Sequence, residues 1–142
     1  MIKAVIFDCF GVVLTVFGAR NESMIEFVGS LRPDYKVGML TNVSGRYELD
    51  KRFKDQELNQ LFDVVLASGD EGFEKPDHFV YEKIAERLGV KPEECLFIDD
   101  IPRFCDAARE VGMTAIQCID PEICILEIQQ LLGVIDTEVK TD

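Results

Sequence analysis

Five short apolar runs, at residues 3–7, 37–40, 63–67, 95–98 and 114–118, constrain this chain more than any other feature. Each is continuous in apolar character instead of alternating, which is the pattern of a strand covered on both faces in a parallel sheet. Parallel neighbours need a crossover, so helices belong between the runs. Segments 23–31, 44–61, 77–88, 103–111 and 120–132 supply them. Val80, Ile84 and Leu88 repeat every four residues, and Ile125, Ile128 and Leu132 every three or four, so each of these helices has one apolar face. Asp120 before Pro121 is an N-cap followed by proline at the first helical position. Gly89, Gly112 and Gly133 each stand where a left-handed residue closes a helix. The alternation predicts an α/β fold: a three-layer α/β/α, Rossmann-like sandwich with a mainly parallel five-stranded sheet. A length of 142 residues suits one domain. It is expected over residues 1–135, with 136–142 as a polar C-terminal tail.

Charge and cysteine content narrow the partners. Lys and Arg number 15 against 27 Asp and Glu, a net charge of −12 that repels polyanions, so no nucleic-acid partner is expected. No apolar run is long enough to cross a bilayer, and the N-terminal run is cut by Asp8 with no cleavage site behind it. The expectation is no membrane partner and a cytoplasmic location. Cys9, Cys95, Cys105, Cys118 and Cys124 lack zinc-site spacing and fall mostly in apolar segments, as reduced core thiols do.

If the runs are parallel strands, their carboxyl ends carry Asp8, then Thr41 with Asn42, then Asp99 with Asp100, while Lys75 follows the third run by a loop. A parallel sheet brings these groups to one edge. Three crowded carboxylates repel one another unless a cation intervenes, and hard oxygen ligands suit Mg²⁺.

The stretches Val5-Ile6-Phe7-Asp8-Cys9-Phe10-Gly11-Val12, Leu40-Thr41-Asn42, Lys75-Pro76-Asp77 and Phe97-Ile98-Asp99-Asp100 resemble, in order, the four motifs of the haloacid dehalogenase-like hydrolase superfamily. The resemblance spans about residues 1–133. It implies that Asp8 is the nucleophile, that Thr41, Asn42 and Lys75 bind the transferring phosphoryl group, and that Lys75 also screens the nucleophile. It further implies a Mg²⁺ site made of Asp8, the backbone carbonyl of Phe10, Asp99 and Asp100, with Asn42 as an outer donor. The activity implied is a magnesium-dependent phosphatase working through an aspartyl-phosphate on Asp8.

Two positions depart from that pattern. Family phosphatases carry a second Asp two residues after the nucleophile to protonate the leaving oxygen, and here stands Phe10. Proton transfer of that kind is worth about 10²- to 10⁴-fold. Phe104 stands where another acidic or amide group is usual. Only residues 14–22 occupy the place where relatives insert a cap domain, so no cap is expected and the site should be open. An open site admits a small phosphorylated metabolite or a larger phosphorylated substrate, and a second copy of the chain is a further way to cover it. An aromatic at the position of Phe10 is also what the superfamily's dehalogenases show, so a metal-independent hydrolase acting at carbon stays open. So does a catalytically degenerate relative that binds or assembles. A phosphoacceptor receiver domain has similar groups in a different chain order. Phe17 and Arg20 in the short flap, and His78, the only histidine, are read as surface or packing residues.

Overall fold

All five runs are strands in the computed structural model, which describes residues 1–134. They are β1 Ala4–Phe7, β2 Lys36–Thr41, β3 Val64–Ala67, β4 Cys95–Asp99 and β5 Thr114–Gln117. Every neighbouring pair is parallel, in the order β3-β2-β1-β4-β5. The chain therefore moves outward from β1 to β3, then returns to the other side of β1. That reversal opens a crevice at the carboxyl ends of β1 and β4, where ligands bind in sheets of this kind. The tail expected at 136–142 lies outside the described residues.

Side-chain alternation along the strands divides the interior into two cores. Val5, Phe7, Val37, Met39, Leu96 and Ile98 face one way. Ala4, Ile6, Leu40, Leu66, Cys95 and Phe97 face the other. The first face is covered by α1 (Glu22–Gly29), α2 (Glu57–Leu61) and α6 (Pro121–Leu132) through Met24, Val28, Leu58, Cys124 and Ile128. The second is covered by α4 (His78–Leu88) and α5 (Pro102–Glu110) through Val80, Ile84, Phe104 and Ala108. A single helical turn, Ser68–Glu71, lies between β3 and α4 and was not expected; it counts as α3. The expected helix ends hold. Asp120 accepts from the Ile123 N–H at 3.0 Å, Asp77 from the Phe79 N–H at 3.0 Å, and Gly89, Gly112 and Gly133 all have positive φ.

The continuous helix expected at 44–61 is not there. The segment is a 3₁₀ turn at Arg46–Glu48, a run of turns, and the short α2, entered through Gln56 at φ +67°. Its own side chains compete for the backbone: Glu48 accepts from the Ser44 N–H and Glu57 from the Lys54 N–H. The buried apolar residues tell the same story, because Leu49 to Phe53 is a four-residue step but Phe53 to Leu58 is five. Five residues overrun a helical stripe. Between β1 and α1 the chain makes turns and two single bridges, Phe10–Leu14 and Leu14–Arg20, with no inserted domain. The expected absence of a cap is what the described residues show.

Candidate active site

Strand register builds the site. Phe7 lies opposite Met39 on β2 and Ile98 on β4, so the next residue, Asp8, emerges beside Asp99, and its N–H donates to the Ile98 carbonyl at 2.9 Å. Lys75 reaches into this gap from the loop after α3. Its Nζ lies 2.8 Å from Asp8 Oδ1 and 2.7 Å from Asp99 Oδ2, and the side chain is 1% exposed. An ammonium this deep needs both carboxylates, since an unpaired buried charge is strongly destabilising. Two aromatic faces add to its environment, with Nζ 5.0 Å from the Phe104 ring centroid and 5.7 Å from that of Phe97. Tyr81 fixes the backbone of Phe104 by donating its hydroxyl to that carbonyl at 2.7 Å.

Asn42 turns out to hold Lys75. Its Oδ1 accepts from the Lys75 N–H and its Nδ2 donates to the Lys75 carbonyl, both at 3.0 Å. Of the two roles expected for it, the amide takes that of an outer donor and not that of a group facing the phosphate, since both its ends are tied to the lysine's main chain. Thr41 is buried at the end of β2. The structure thus brings Asp8, Thr41, Asn42, Lys75, Asp99 and Asp100 to one edge, as the spacing predicts.

The adjacent acids Asp99 and Asp100, read alike in the sequence, are physically different. Both oxygens of Asp99 are engaged, Oδ2 with Lys75 and Oδ1 with the Ile101 N–H at 3.1 Å. Asp100 Oδ1 is buried and has no hydrogen-bond partner. Gly11 makes the seat for this carboxylate: with φ +99° and no side chain, it leaves space in which a β-carbon would collide with Asp100 Cγ and both oxygens. One oxygen from each of Asp8, Asp99 and Asp100 lies within 4.8 Å of the others. The spread is compatible with shared coordination of a hard divalent cation.

Electrostatics point the same way. Burial pushes the Asp8 carboxyl up to about 7, against the pull of Lys75 and with the push of Asp99 and Asp100. Burial and neighbouring Asp99 raise the Asp100 carboxyl as well. Three acids face one ammonium, and the excess negative charge is what a divalent ion would offset. A cavity of about 570 Å³ opens beside Asp100, lined by Gly11, Leu14, Val16, Ile119 and Pro121 among others.

The residues read as surface or packing groups have partners of their own or face solvent. Arg20 spends its guanidinium on both oxygens of Glu57, at 2.9 and 2.8 Å, and on Glu22 at 2.9 Å, clasping the flap to α2. Phe17 is 91% exposed. His78 is exposed at the start of α4, its Nε2 2.8 Å from Glu110. The two departures from the pattern sit in different cores: Phe10 packs against the first, and Phe104 belongs to the second. All five cysteines are free and buried. Sequence reasoning missed the seat that Gly11 makes, although a glycine just after Phe10 was the visible signal.

A family profile for haloacid dehalogenase-like hydrolases matches residues 18–112. Phosphatase MT3486 of Mycobacterium tuberculosis is 44% identical over 84 residues, which cover 59% of this chain. The matched part spans 39% of that relative's length. Among solved structures, an uncharacterized protein from Corynebacterium glutamicum aligns with a TM-score of 0.80 at 22% identity, over 94% of this chain and 96% of that one. A HAD family enzyme from Bacteroides thetaiotaomicron, solved with magnesium and inorganic phosphate, aligns with a TM-score of 0.70 at 15% identity, over 82% of this chain and 94% of that one. At these identities the two solved structures share the fold.

Proposed function

This chain belongs to the haloacid dehalogenase-like hydrolases, and from that membership we propose that it is a magnesium-dependent phosphatase with Asp8 as its nucleophile. The observation that carries the reading is the contrast in wiring: Lys75 is bound to Asp8 and Asp99, while Asp100 Oδ1 is buried with no partner beside them. A buried orphan oxygen among hard carboxylate donors fits a divalent cation. Asp8 and Asp100 would hold it, with the Phe10 main-chain carbonyl as the third protein ligand; Asp99, read from the sequence as a further ligand, has both oxygens engaged by Lys75 and the Ile101 N–H and would stand behind them. When bound, Mg²⁺ supplies the positive charge that lets a carboxylate approach a phosphate dianion.

The chain's own groups do the rest. One oxygen of Asp8 holds Lys75 and the other attacks phosphorus, giving an aspartyl-phosphate as the ester oxygen leaves with its electron pair. Lys75 offsets charge on the nucleophile and the phosphoryl oxygens. The Thr41 hydroxyl donates to one of those oxygens. Water then attacks phosphorus and breaks its bond to Asp8. Both hydrogens of that water depart with phosphate as H₂PO₄⁻, and the carboxylate is restored. Asn42 acts at one remove, by fixing the lysine's main chain.

Phosphatase MT3486 supports phosphate esters over carbon–halogen bonds as substrates. The seat for Asp100 supports the same choice, because chemistry at carbon without a metal would leave a buried, unpaired carboxylate with nothing to do. A phosphorylated metabolite, or a larger phosphorylated partner reaching the uncapped crevice, is the proposed substrate class. The net charge of −12 argues against nucleic acid, and free buried thiols suit a reducing cytoplasm. Among the described residues no helix is long and apolar enough to cross a membrane.

The test is phosphate release from p-nitrophenyl phosphate and acetyl phosphate, with Mg²⁺ and with chelator, for the wild type beside Asp8→Asn. Release that needs both Mg²⁺ and Asp8 is expected. If the wild type releases nothing from either compound or from a panel of phosphorylated metabolites, the proposal is wrong.

A further inference from the structure

Arg52 lies in the stretch of turns that replaces the expected helix, and its side chain reaches the Phe10 ring and the flap. The guanidinium carbon sits 5.9 Å from the centroid of the Phe10 ring, two residues past Asp8. Nη1 donates to the Gly18 carbonyl at 3.4 Å. Gly18 has φ +88°, and a β-carbon there would collide with the guanidinium. Arg20, itself clasped to Glu57, donates to the Arg52 carbonyl at 3.3 Å and holds its backbone.

Three features bear on this arginine. Like Arg46 and Arg103 it forms no ion pair with a carboxylate among the described residues, in a chain where acids outnumber bases 27 to 15. Burial and neighbouring Asp8 push the Cys9 thiol up, against a smaller pull from Lys75 and from Arg52. Its platform is Phe10, the residue that stands where a proton donor is usual. A guanidinium keeps its proton at any ordinary pH, so it cannot protonate a leaving oxygen, but its N–H groups hydrogen-bond an oxyanion strongly.

We propose that Arg52, seated on Phe10, contacts the departing oxygen, and that the preferred substrates are phosphate esters or anhydrides whose leaving group departs as a stable anion. Acyl phosphates, aryl phosphates and phosphoanhydrides meet that description; alkyl phosphates do not. This deepens the phosphatase reading and rests on it. As Asp8 bonds to phosphorus, the phosphorus–oxygen bond to the leaving group breaks. The electron pair stays on the leaving oxygen, which departs as carboxylate, phenolate or phosphate without receiving a proton from the protein.

The experiment uses the full chain with Mg²⁺ and a series of aryl phosphates with leaving phenols of increasing pKa, together with acetyl phosphate and glycerol phosphate. Wild-type kcat/KM should fall steadily as the leaving group becomes more basic, with glycerol phosphate about 10²-fold or more below acetyl phosphate. Arg52→Gln should lower kcat/KM for the aryl and acetyl compounds by roughly 10- to 100-fold, the range of a charge-assisted hydrogen bond. Arg52→Lys should recover part of the loss, and Phe10→Asp should flatten the dependence on leaving group. Rates for Arg52→Gln within about twofold of wild type across the series, or a wild type that prefers glycerol phosphate, would overturn the assignment. Failure of the phosphatase reading is told apart by phenyl phosphate binding to Asp8→Asn, which holds substrate without turning it over. Binding that is weakened by adding Arg52→Gln supports the assignment, binding unchanged by it refutes it, and no binding with or without Mg²⁺ removes the phosphatase reading together with the inference built on it.

Discussion

The two walls of the crevice are built on opposite terms. On the wall formed by β2, β4 and the Lys75 loop every charged oxygen but those facing the cleft is satisfied: Lys75 bridges Asp8 and Asp99, Asn42 grips Lys75, and Ile101 caps Asp99. On the side of Gly11 and the flap, Asp100, the residue after β4, has a buried oxygen without a partner, and Arg52, from the turns after β2, forms no ion pair among the described residues. The first wall is complete within the protein. On the proposal made above, the second is where metal and substrate bind, so mutations there should tell on ligands and mutations on the first wall on folding as well.

The largest expected effect is at the point where the walls meet. Asp8→Asn removes the proposed nucleophile, and phosphate release should fall by about 10⁴-fold or more, measured with p-nitrophenyl phosphate. Next comes the satisfied wall. Lys75→Met leaves Asp8 and Asp99 facing each other in a buried space, and urea unfolding should show a loss of about 3–5 kcal/mol. Near-wild-type stability would mean that the ammonium is not what holds the two carboxylates together.

Gly11→Ala tests the unsatisfied wall. A β-carbon there collides with the Asp100 carboxylate in a backbone conformation that L-residues avoid, so stability should fall by about 1–3 kcal/mol. Mg²⁺ affinity, read by titration calorimetry, should fall by about 10-fold or more. Normal metal affinity in this variant would show that Asp100 is not a ligand. The smallest effect belongs to the flap clasp. The Arg20 hydrogen bonds hold the Glu57 carboxyl below its ordinary 4.5, so the folded state binds this proton less readily than the unfolded one. Its contribution is therefore present above pH 4.5 and lost as pH falls below it. Glu57→Gln should cost about 0.2–1 kcal/mol at pH 7 and converge with wild type as the pH falls well below the ordinary carboxylate range, followed by thermal melts.

Much of this was legible in the chain because it depends on local pattern. Continuous apolar runs became the five strands, Asp120-Pro121 became a capped helix start, and the residues after three of the runs arrived at one edge, since strand ends inherit their place from the strands. The segment at 44–61 was misread because helical residues are abundant there, while the turns are made by Glu48 and Glu57 bonding the backbone and by burial of Phe53 one position out of step. For Asn42 the outer-donor role was legible but its partner was not, for a similar reason. Its partner is 33 residues away, and nothing in Thr41-Asn42 says that the amide turns toward the Lys75 main chain and not toward the cleft.

The order of apolar runs and breaks determined by itself the strands, the parallel sheet and the edge at which the acids gather, because strand burial and crossover connection follow from composition over a few residues. Only tertiary structure decided that Asp99 is spent on Lys75 while Asp100 keeps a free oxygen, that Gly11 makes room for that carboxylate, and that Arg52 lies on Phe10. Identical carboxylates one residue apart have the same chemistry on paper. What separates them is which groups from distant parts of the chain fill the space around each.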